Sequence, residues 1–144
     1  AVACVVFLKT IEPVHDPAAV LEHIRGLIGP RGVAYVSTPN VLTLAPKGAE
    51  RSGNPWHVRE YRAQEYRELC WRHFGSVDLL GLFHARKLRA HELALGLGWD
   101  RIHKALRLTN PFYDRFTPAI SASDFALRAG DLDRALDFLA VCHA

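Results

Sequence analysis

The chain is predicted to fold as an α/β protein built on parallel strands, and three features of its first 40 residues carry that prediction. Val2–Leu8 is an unbroken apolar run rich in β-branched side chains, the pattern of a strand buried on both faces. Asp16-Pro17 then supplies an N-cap and a first-turn proline, and Val20, Leu21, Ile24, Leu27 and Ile28 follow at helical spacing. Val33–Ser37 reads as a second strand. Strand, helix and strand in so short a stretch form a βαβ unit, with a right-handed crossover and parallel strands. At 144 residues and 16.1 kDa the chain has the size of one domain. Its 49% hydrophobic and 23% charged content excludes a disordered tail, a collagen-like fibre and a coiled coil.

The remaining elements follow in order. Gly29-Pro30-Arg31-Gly32 stops the first helix and turns the chain. Residues 38–59 are rich in Pro, Gly and Asn and lack periodicity, so they form a long loop after a strand's carboxyl end, where α/β folds place their chemistry. A helix is predicted from Ala63 to about Phe74, with Tyr66, Leu69, Cys70 and Phe74 inward and Gly75 as its stop. Ser76–Phe83 is a third strand: Val77, Leu79, Gly81 and Phe83 share one face, Leu80 and Leu82 the other. Residues 85–108 are mostly helical, interrupted at Gly96-Leu97-Gly98 and broken by Asn110-Pro111. Asp124–Arg128 is a short strand, and Leu132 to about Val141 a final helix with Leu132, Leu136, Leu139 and Ala140 inward.

Charge and cysteine usage narrow the function classes. The net charge of +3 is too small and too scattered for a dedicated nucleic-acid binder. The densest basic stretch, Arg86-Lys87-Leu88-Arg89, reads as a solvated helix face. Three widely spaced cysteines, Cys4, Cys70 and Cys142, without a C-x-x-C pattern point to reduced thiols and a cytoplasmic setting rather than a disulfide framework or a zinc ribbon. No segment reaches transmembrane length, and the opening apolar run lacks the basic flank of a signal peptide. His84, His91 and His103 come without H-E-x-x-H or paired carboxylates, so they are expected on the surface, and no metal site is expected. The serines lack a G-x-S-x-G setting, which speaks against a serine hydrolase.

Several motifs in combination resemble one family. Thr10-Ile11-Glu12-Pro13-Val14-His15-Asp16-Pro17 is similar to the "E-H-x-x-D-P" turn after the fourth strand of class I S-adenosylmethionine-dependent methyltransferases. Residues 27–40, from Leu27-Ile28-Gly29-Pro30-Arg31-Gly32 through Val33–Ser37 to Thr38-Pro39-Asn40, resemble the family's "L-x-P-G-G", fifth strand and "T-P-N" sequel. Asn54-Pro55-Trp56-His57-Val58-Arg59-Glu60-Tyr61 is similar to the "H-x-x-x-Y/F" loop of its small-molecule and glycan-modifying members. Pro13 stands where the family commonly has His, and Arg31 replaces the first Gly of its turn. The family's Gly-rich loop after the first strand and the acidic residue ending the second have no counterpart here; Gly96-Leu97-Gly98 lies in a helical region.

The resemblance implies a partial Rossmann-like methyltransferase sheet, parallel strands plus an antiparallel terminal strand, in the carboxyl-terminal part of a methyltransferase domain. It makes residues 1–144 a single partial domain with a helical insertion at 84–119. Asp124–Arg128 is then expected to run antiparallel between Val33–Ser37 and Ser76–Phe83. The implied cofactor is S-adenosylmethionine and the implied partner a small-molecule or glycan acceptor, with neither nucleic acid nor a membrane span. Methyl transfer from a sulfonium is an in-line displacement that depends mainly on alignment, and an oxygen nucleophile also calls for a base. Thr10, Ile11 and Glu12 line the cofactor pocket by resemblance, Glu12 facing the sulfonium or capping the following turn. His57 is the first choice for a base, with His15 a second candidate or a turn-stabilising group. Asn40, Trp56 and Glu60 are candidate substrate contacts. Pro39-Asn40 serves equally as a turn, and Trp56 and Tyr61 as anchors of the loop to the core. The aromatic group Trp99, Phe112, Tyr113, Phe116 and Phe125 reads first as core and second as a lid over an apolar acceptor.

Two other function classes compete: a non-catalytic binding domain on the same fold, and half of a nicotinamide-dependent oxidoreductase. The second is weakened because Tyr66 has Cys70, not Lys, at the fourth position after it. The chain has no Met and opens on what the motif order makes a central strand. A bare edge on Val2–Leu8 predicts self-association, and a chain without the Gly-rich half is expected to be inactive alone.

Overall fold

The structure, a computed structural model, describes residues 1–144. Five strands form one mixed sheet: β1 (Val2–Leu8), β2 (Ile28–Pro39), β3 (Ser76–His84), β4 (Phe125–Arg128) and β5 (Asp137–His143), in the order β1-β2-β5-β3-β4. The helices are α1 (Pro17–Leu27), α2 (Val41–Leu44), α3 (Ala63–Trp71), α4 (Arg86–Gly96), α5 (Trp99–Ala105) and α6 (Thr109–Phe116). The chain forms two compact units, one of Ala1–Phe83 with Leu127–Ala144 and one of His84–Ala126.

The first unit is the βαβ core. β1 and β2 pair in parallel, and α1 between them starts as its sequence dictates. Asp16 Oδ1 accepts from the Ala19 amide at 3.0 Å, and Pro17 occupies the first turn, where no amide hydrogen is needed. Leu21 and Ile24 face the core, whereas Leu27, expected inward, is exposed because the helix ends there. The Gly-Pro-Arg-Gly segment is absorbed into β2 rather than standing outside it. The register steps from Val2↔Ile28 to Cys4↔Val33, a bulge that takes up the extra residues. At Gly32 a side chain has no room: a Cβ there would lie 2.8 Å from the Cβ of Ile28.

The core occupies one face of the sheet. Cross-strand rows of Ala34, Cys142 and Val77, of Val36, Ala140 and Leu79, and of Thr38, Phe138 and Gly81 run across β2, β5 and β3. Leu21 and Ile24 of α1 and Tyr66 and Cys70 of α3 belong to the same apolar cluster. Fully burying a side chain such as Phe138 is worth about 1.5–3 kcal/mol. Gly81 admits the approach of the Ala135 segment: a Cβ at Gly81 would sit 2.7 Å from the Cβ of Ala135.

Three expectations are corrected. Residues 137–143 are a strand, not part of a helix. Phe138, Ala140 and Cys142 are buried in alternation with partly exposed neighbours, so the period is 2. An apolar run this short satisfies either template, and pairing with strands on both sides decided it. The antiparallel strand between β2 and β3 is therefore β5, and Phe125–Arg128 lies at the outer edge beside β3. Finally, β1 is not covered on both faces. Val5 and Phe7 pack on the core, but Val6 is 62% exposed and Val2 and Leu8 are exposed with it, at the open edge of the sheet.

The second unit is helical. α4, α5 and α6 bring together Trp99, Phe112, Tyr113 and Phe116, and two of the three histidines expected on the surface join them. His91 stacks 4.6 Å from Phe116 and bonds the Tyr113 hydroxyl at 3.1 Å, and His103 is only 4% exposed. Lys87, expected in a solvated face, reaches Asp124 at 3.4 Å and lies over the Phe116 ring. The Asp124 carboxyl is held below its usual range, chiefly by the backbone amide of Ser121 and further by Lys87. No helix is long and apolar enough to cross a membrane.

Candidate functional site

The carboxyl ends of β1 and β2 lie side by side, and the segments that leave them meet. After β1, Lys9 takes a left-handed conformation (φ 53°) and its amide donates to Ser37. Ile11–Val14 then closes a turn through the Val14 amide and the Ile11 carbonyl. After β2, Asn40 caps α2, and the loop returns so that Asn40 bridges Tyr61 in parallel fashion. The Arg59 amide donates to the Glu12 carbonyl at 3.1 Å, which ties the loop to the turn after β1. Open α/β sheets bind ligands outside the carboxyl ends of their strands, and both segments lie at that end.

The loop carries a histidine–carboxylate pair. His57 Nδ1 lies 2.9 Å from Glu60 Oε1. Glu60 also accepts from the Ser52 amide at 2.8 Å and from the Ser52 hydroxyl. Burial alone would raise the Glu60 pKa, but the Ser52 and His57 donors prevail and hold it below the usual carboxylate value of 4.5. An ionised carboxylate only accepts, so Nδ1 carries a proton, and in the neutral imidazole Nε2 is the acceptor. This is the arrangement in which a carboxylate orients an imidazole for proton abstraction. The backbone beneath is stapled: Arg51 donates to the carbonyls of His57 at 2.9 Å and Val58 at 3.2 Å, and Asn54 Oδ1 accepts from the Trp56 amide. Arg51, Arg59 and Arg62 join Glu60 in lining a polar pocket of about 390 Å³.

The other predicted site residues fall into distinct environments. Thr10 is exposed, Ile11 is core and Glu12 is 2% exposed. Glu12 Oε1 is buried with no hydrogen-bond partner. His15 is exposed. Asn40 is fully buried and committed to the fold: its amide donates to the carbonyls of Leu132, Asp133 and Ala135 at 3.2, 3.0 and 2.8 Å, and its Oδ1 accepts from Leu42. No polar atom of Asn40 is left for a substrate. Glu60 is likewise bonded to Ser52 and His57. Trp56 and Tyr61, read together as anchors, separate: Tyr61 is buried in the core, and Trp56 is 78% exposed.

Sequence reasoning missed Arg51 and Ser52, the staples of the loop. The signal was the Ser52-Gly53-Asn54-Pro55 run, whose Ser and Asn side chains bond nearby backbone in turns. It also missed the buried hydroxyls of Thr38, Tyr61 and Tyr66, which, like Glu12 Oε1, have no partner. Burial pushes both tyrosine phenols above their usual pKa, and Glu12 adds to the rise in each case.

Comparison with known proteins places this geometry in a family. A family model described as a methyltransferase domain matches residues 1–93. A probable S-adenosylmethionine-dependent methyltransferase of Mycolicibacterium smegmatis is 32% identical over 151 residues, covering 98% of this chain and 58% of the relative. A probable S-adenosylmethionine-dependent methyltransferase of Mycobacterium tuberculosis is 30% identical over 150 residues, covering 98% of this chain and 54% of the relative. The chain thus spans little more than half the length of these relatives. With a family match over most of its length and its βαβ core, paired loops and T-P-N cap in the matched residues, the chain belongs to the methyltransferase domain family.

Proposed function

We propose that the natural protein containing this chain transfers a methyl group from S-adenosylmethionine to a polar small-molecule or glycan-type acceptor, with His57 as the base. The observation that carries the reading is the His57–Glu60 pair on the loop tied to the turn after β1. S-adenosylmethionine, when bound, supplies an electrophilic methyl group on a sulfonium. Glu12 fits such a ligand: a buried carboxyl oxygen without a partner suits a cationic centre or a hydroxyl donor. Thr10 and Ile11 frame Glu12 on the same turn. The Gly-rich element that the family resemblance calls for is not among these 144 residues, so the chain alone is expected to bind the cofactor weakly and to methylate nothing.

On the acceptor side, Nε2 of His57 takes the proton of a hydroxyl as its oxygen becomes nucleophilic. Glu60 keeps the imidazole in the required tautomer and stabilises the cation that forms. His15 has no orienting carboxylate, which ranks it below His57. The exposed Trp56 ring offers a stacking face, and the neighbouring pocket, which Arg51, Arg59 and Arg62 line together with Glu50, Glu60 and Glu65, favours a hydroxyl-rich acceptor over an apolar one.

The test is incorporation of labelled methyl groups by the natural protein. His57→Asn is expected to lower kcat by about 100-fold or more while cofactor affinity is kept. Unchanged turnover in that variant removes His57 from the chemistry. Failure of the natural protein to bind S-adenosylmethionine at all would favour the non-catalytic binding domain instead.

A further inference from the structure

The helical unit contains a pocket whose lining includes none of the residues assigned above to the cofactor or to proton transfer. Trp99, His103, Phe112 and Phe116 wall a space of about 610 Å³, with Arg115 at its rim. That volume falls in the range of small-molecule sites. The walls are rings at steep angles: Trp99 and Phe112 meet at 81°, and His103 and Phe112 at 69° with centroids 4.7 Å apart. Phe112 and Phe116 are nearly parallel at 17° and 5.2 Å. Such an arrangement offers a flat guest both a stacking face and ring edges.

Two polar groups in this apolar setting lack partners. His103 is 4% exposed, yet its Nδ1 makes no hydrogen bond. The contrast with His91 in the same unit is direct, since His91 Nε2 bonds the Tyr113 hydroxyl. The ion pairs of the unit join His84 to Glu92 and Lys87 to Asp124, and Arg115 takes part in neither. A free guanidinium at the mouth of an aromatic pocket complements an anion attached to an apolar body.

We propose that this pocket binds an aromatic carboxylate, its ring body among Trp99, His103, Phe112 and Phe116 and its carboxylate on Arg115. The proposal does not rest on the methyl-transfer reading, because its test needs neither cofactor nor turnover. Calorimetric titration of the natural protein, without S-adenosylmethionine, with 2-naphthoate, 2-naphthamide and octanoate tests it. Naphthoate is expected to bind saturably and about tenfold more tightly than the neutral amide. In Arg115→Gln, whose side chain is exposed, that preference should vanish while far-UV circular dichroism stays unchanged. Equal binding of acid and amide by the natural protein, tighter binding of octanoate, an undiminished preference in Arg115→Gln, or no saturable binding to the folded protein up to millimolar concentration would each overturn the proposal.

Discussion

Two neighbouring regions at the carboxyl ends of β1 and β2 treat their polar atoms in opposite ways. In the loop after β2, Asn40, Ser52, Asn54 and Glu60 are bonded to one another or to backbone. Behind it, Glu12 Oε1, Thr38 Oγ1 and the hydroxyls of Tyr61 and Tyr66 are buried with no partner. A satisfied network rigidifies, and an unsatisfied buried group costs stability. The first region is built to hold a geometry, that of His57. The second carries a cost that a ligand or further protein can relieve.

The hardest way to break this contrast is at Asn40. Its two amide hydrogens are shared among three carbonyls, and its Oδ1 caps α2. Asn40→Ala leaves those carbonyls facing a buried void, so a loss of about 2–4 kcal/mol is expected in denaturant unfolding. Asn40→Asp should cost at least as much, because it turns an acceptor toward three acceptors. A loss below about 1 kcal/mol in both variants would mean that the Leu132–Ala135 segment does not depend on this side chain.

Glu60 comes next. Its pKa is depressed in the folded chain, so its contribution is complete above the ordinary carboxylate value of 4.5. That contribution is lost as pH falls through the lower folded value. Acidification through this window should release the Ser52 and His57 contacts before the sheet unfolds, read as a loss of amide protection in residues 51–60 relative to the intrinsic exchange rate at each pH. Glu60→Gln should abolish that acid transition and cost about 1–2 kcal/mol at neutral pH. A loop whose protection is the same above and below the window would contradict the assignment.

The open edge of the sheet offers a smaller lever. β1 presents an unpaired backbone edge with Val2, Val6 and Leu8 exposed, and we propose that the isolated chain self-associates through it. Val6→Lys should reduce the mass seen by light scattering and change stability by less than about 0.5 kcal/mol. A monomer before the substitution would refute the proposal.

How much of this could be read beforehand depends on the range of the determining contacts. β1, α1 and β3 were legible because periodicity and the Asp16-Pro17 cap act locally; α3 starts at Ala63 as expected but ends at Trp71, before the expected Phe74 and the Gly75 stop. β5 was not legible, because Asp137–His143 becomes a strand only through its neighbours on both sides. In the site, His57 was read as a candidate base from its residue type and its place in a loop that resembles the family's, and the structure pairs it with Glu60. That pairing was not legible, because a carboxylate bonded to Ser52 and His57 has the same letter as one that meets a substrate. Asn40 was noticed for its place in T-P-N, but its partners lie more than 90 residues away, beyond any local pattern. His103 was misplaced on the surface because its burial depends on the packing of Trp99 and Phe112.

An expected gain in stability, rather than a loss, sharpens the contrast from the other side. Thr38 is fully buried in β2, and its hydroxyl has no partner. Thr→Val at most sites forfeits a hydrogen bond, but here none is lost. Thr38→Val keeps the shape, favours the strand and removes a desolvated hydroxyl, so the chain should gain up to about 1 kcal/mol. The same substitution in the natural protein distinguishes two origins of the orphan. If the hydroxyl serves the cofactor or the acceptor, the stabilised variant will bind one of them more weakly. If it serves neither, stability will rise with binding untouched, and Thr38 leaves the site. A destabilised Thr38→Val chain would show instead that the hydroxyl has a partner, and the division between satisfied and unsatisfied regions would fail at that residue.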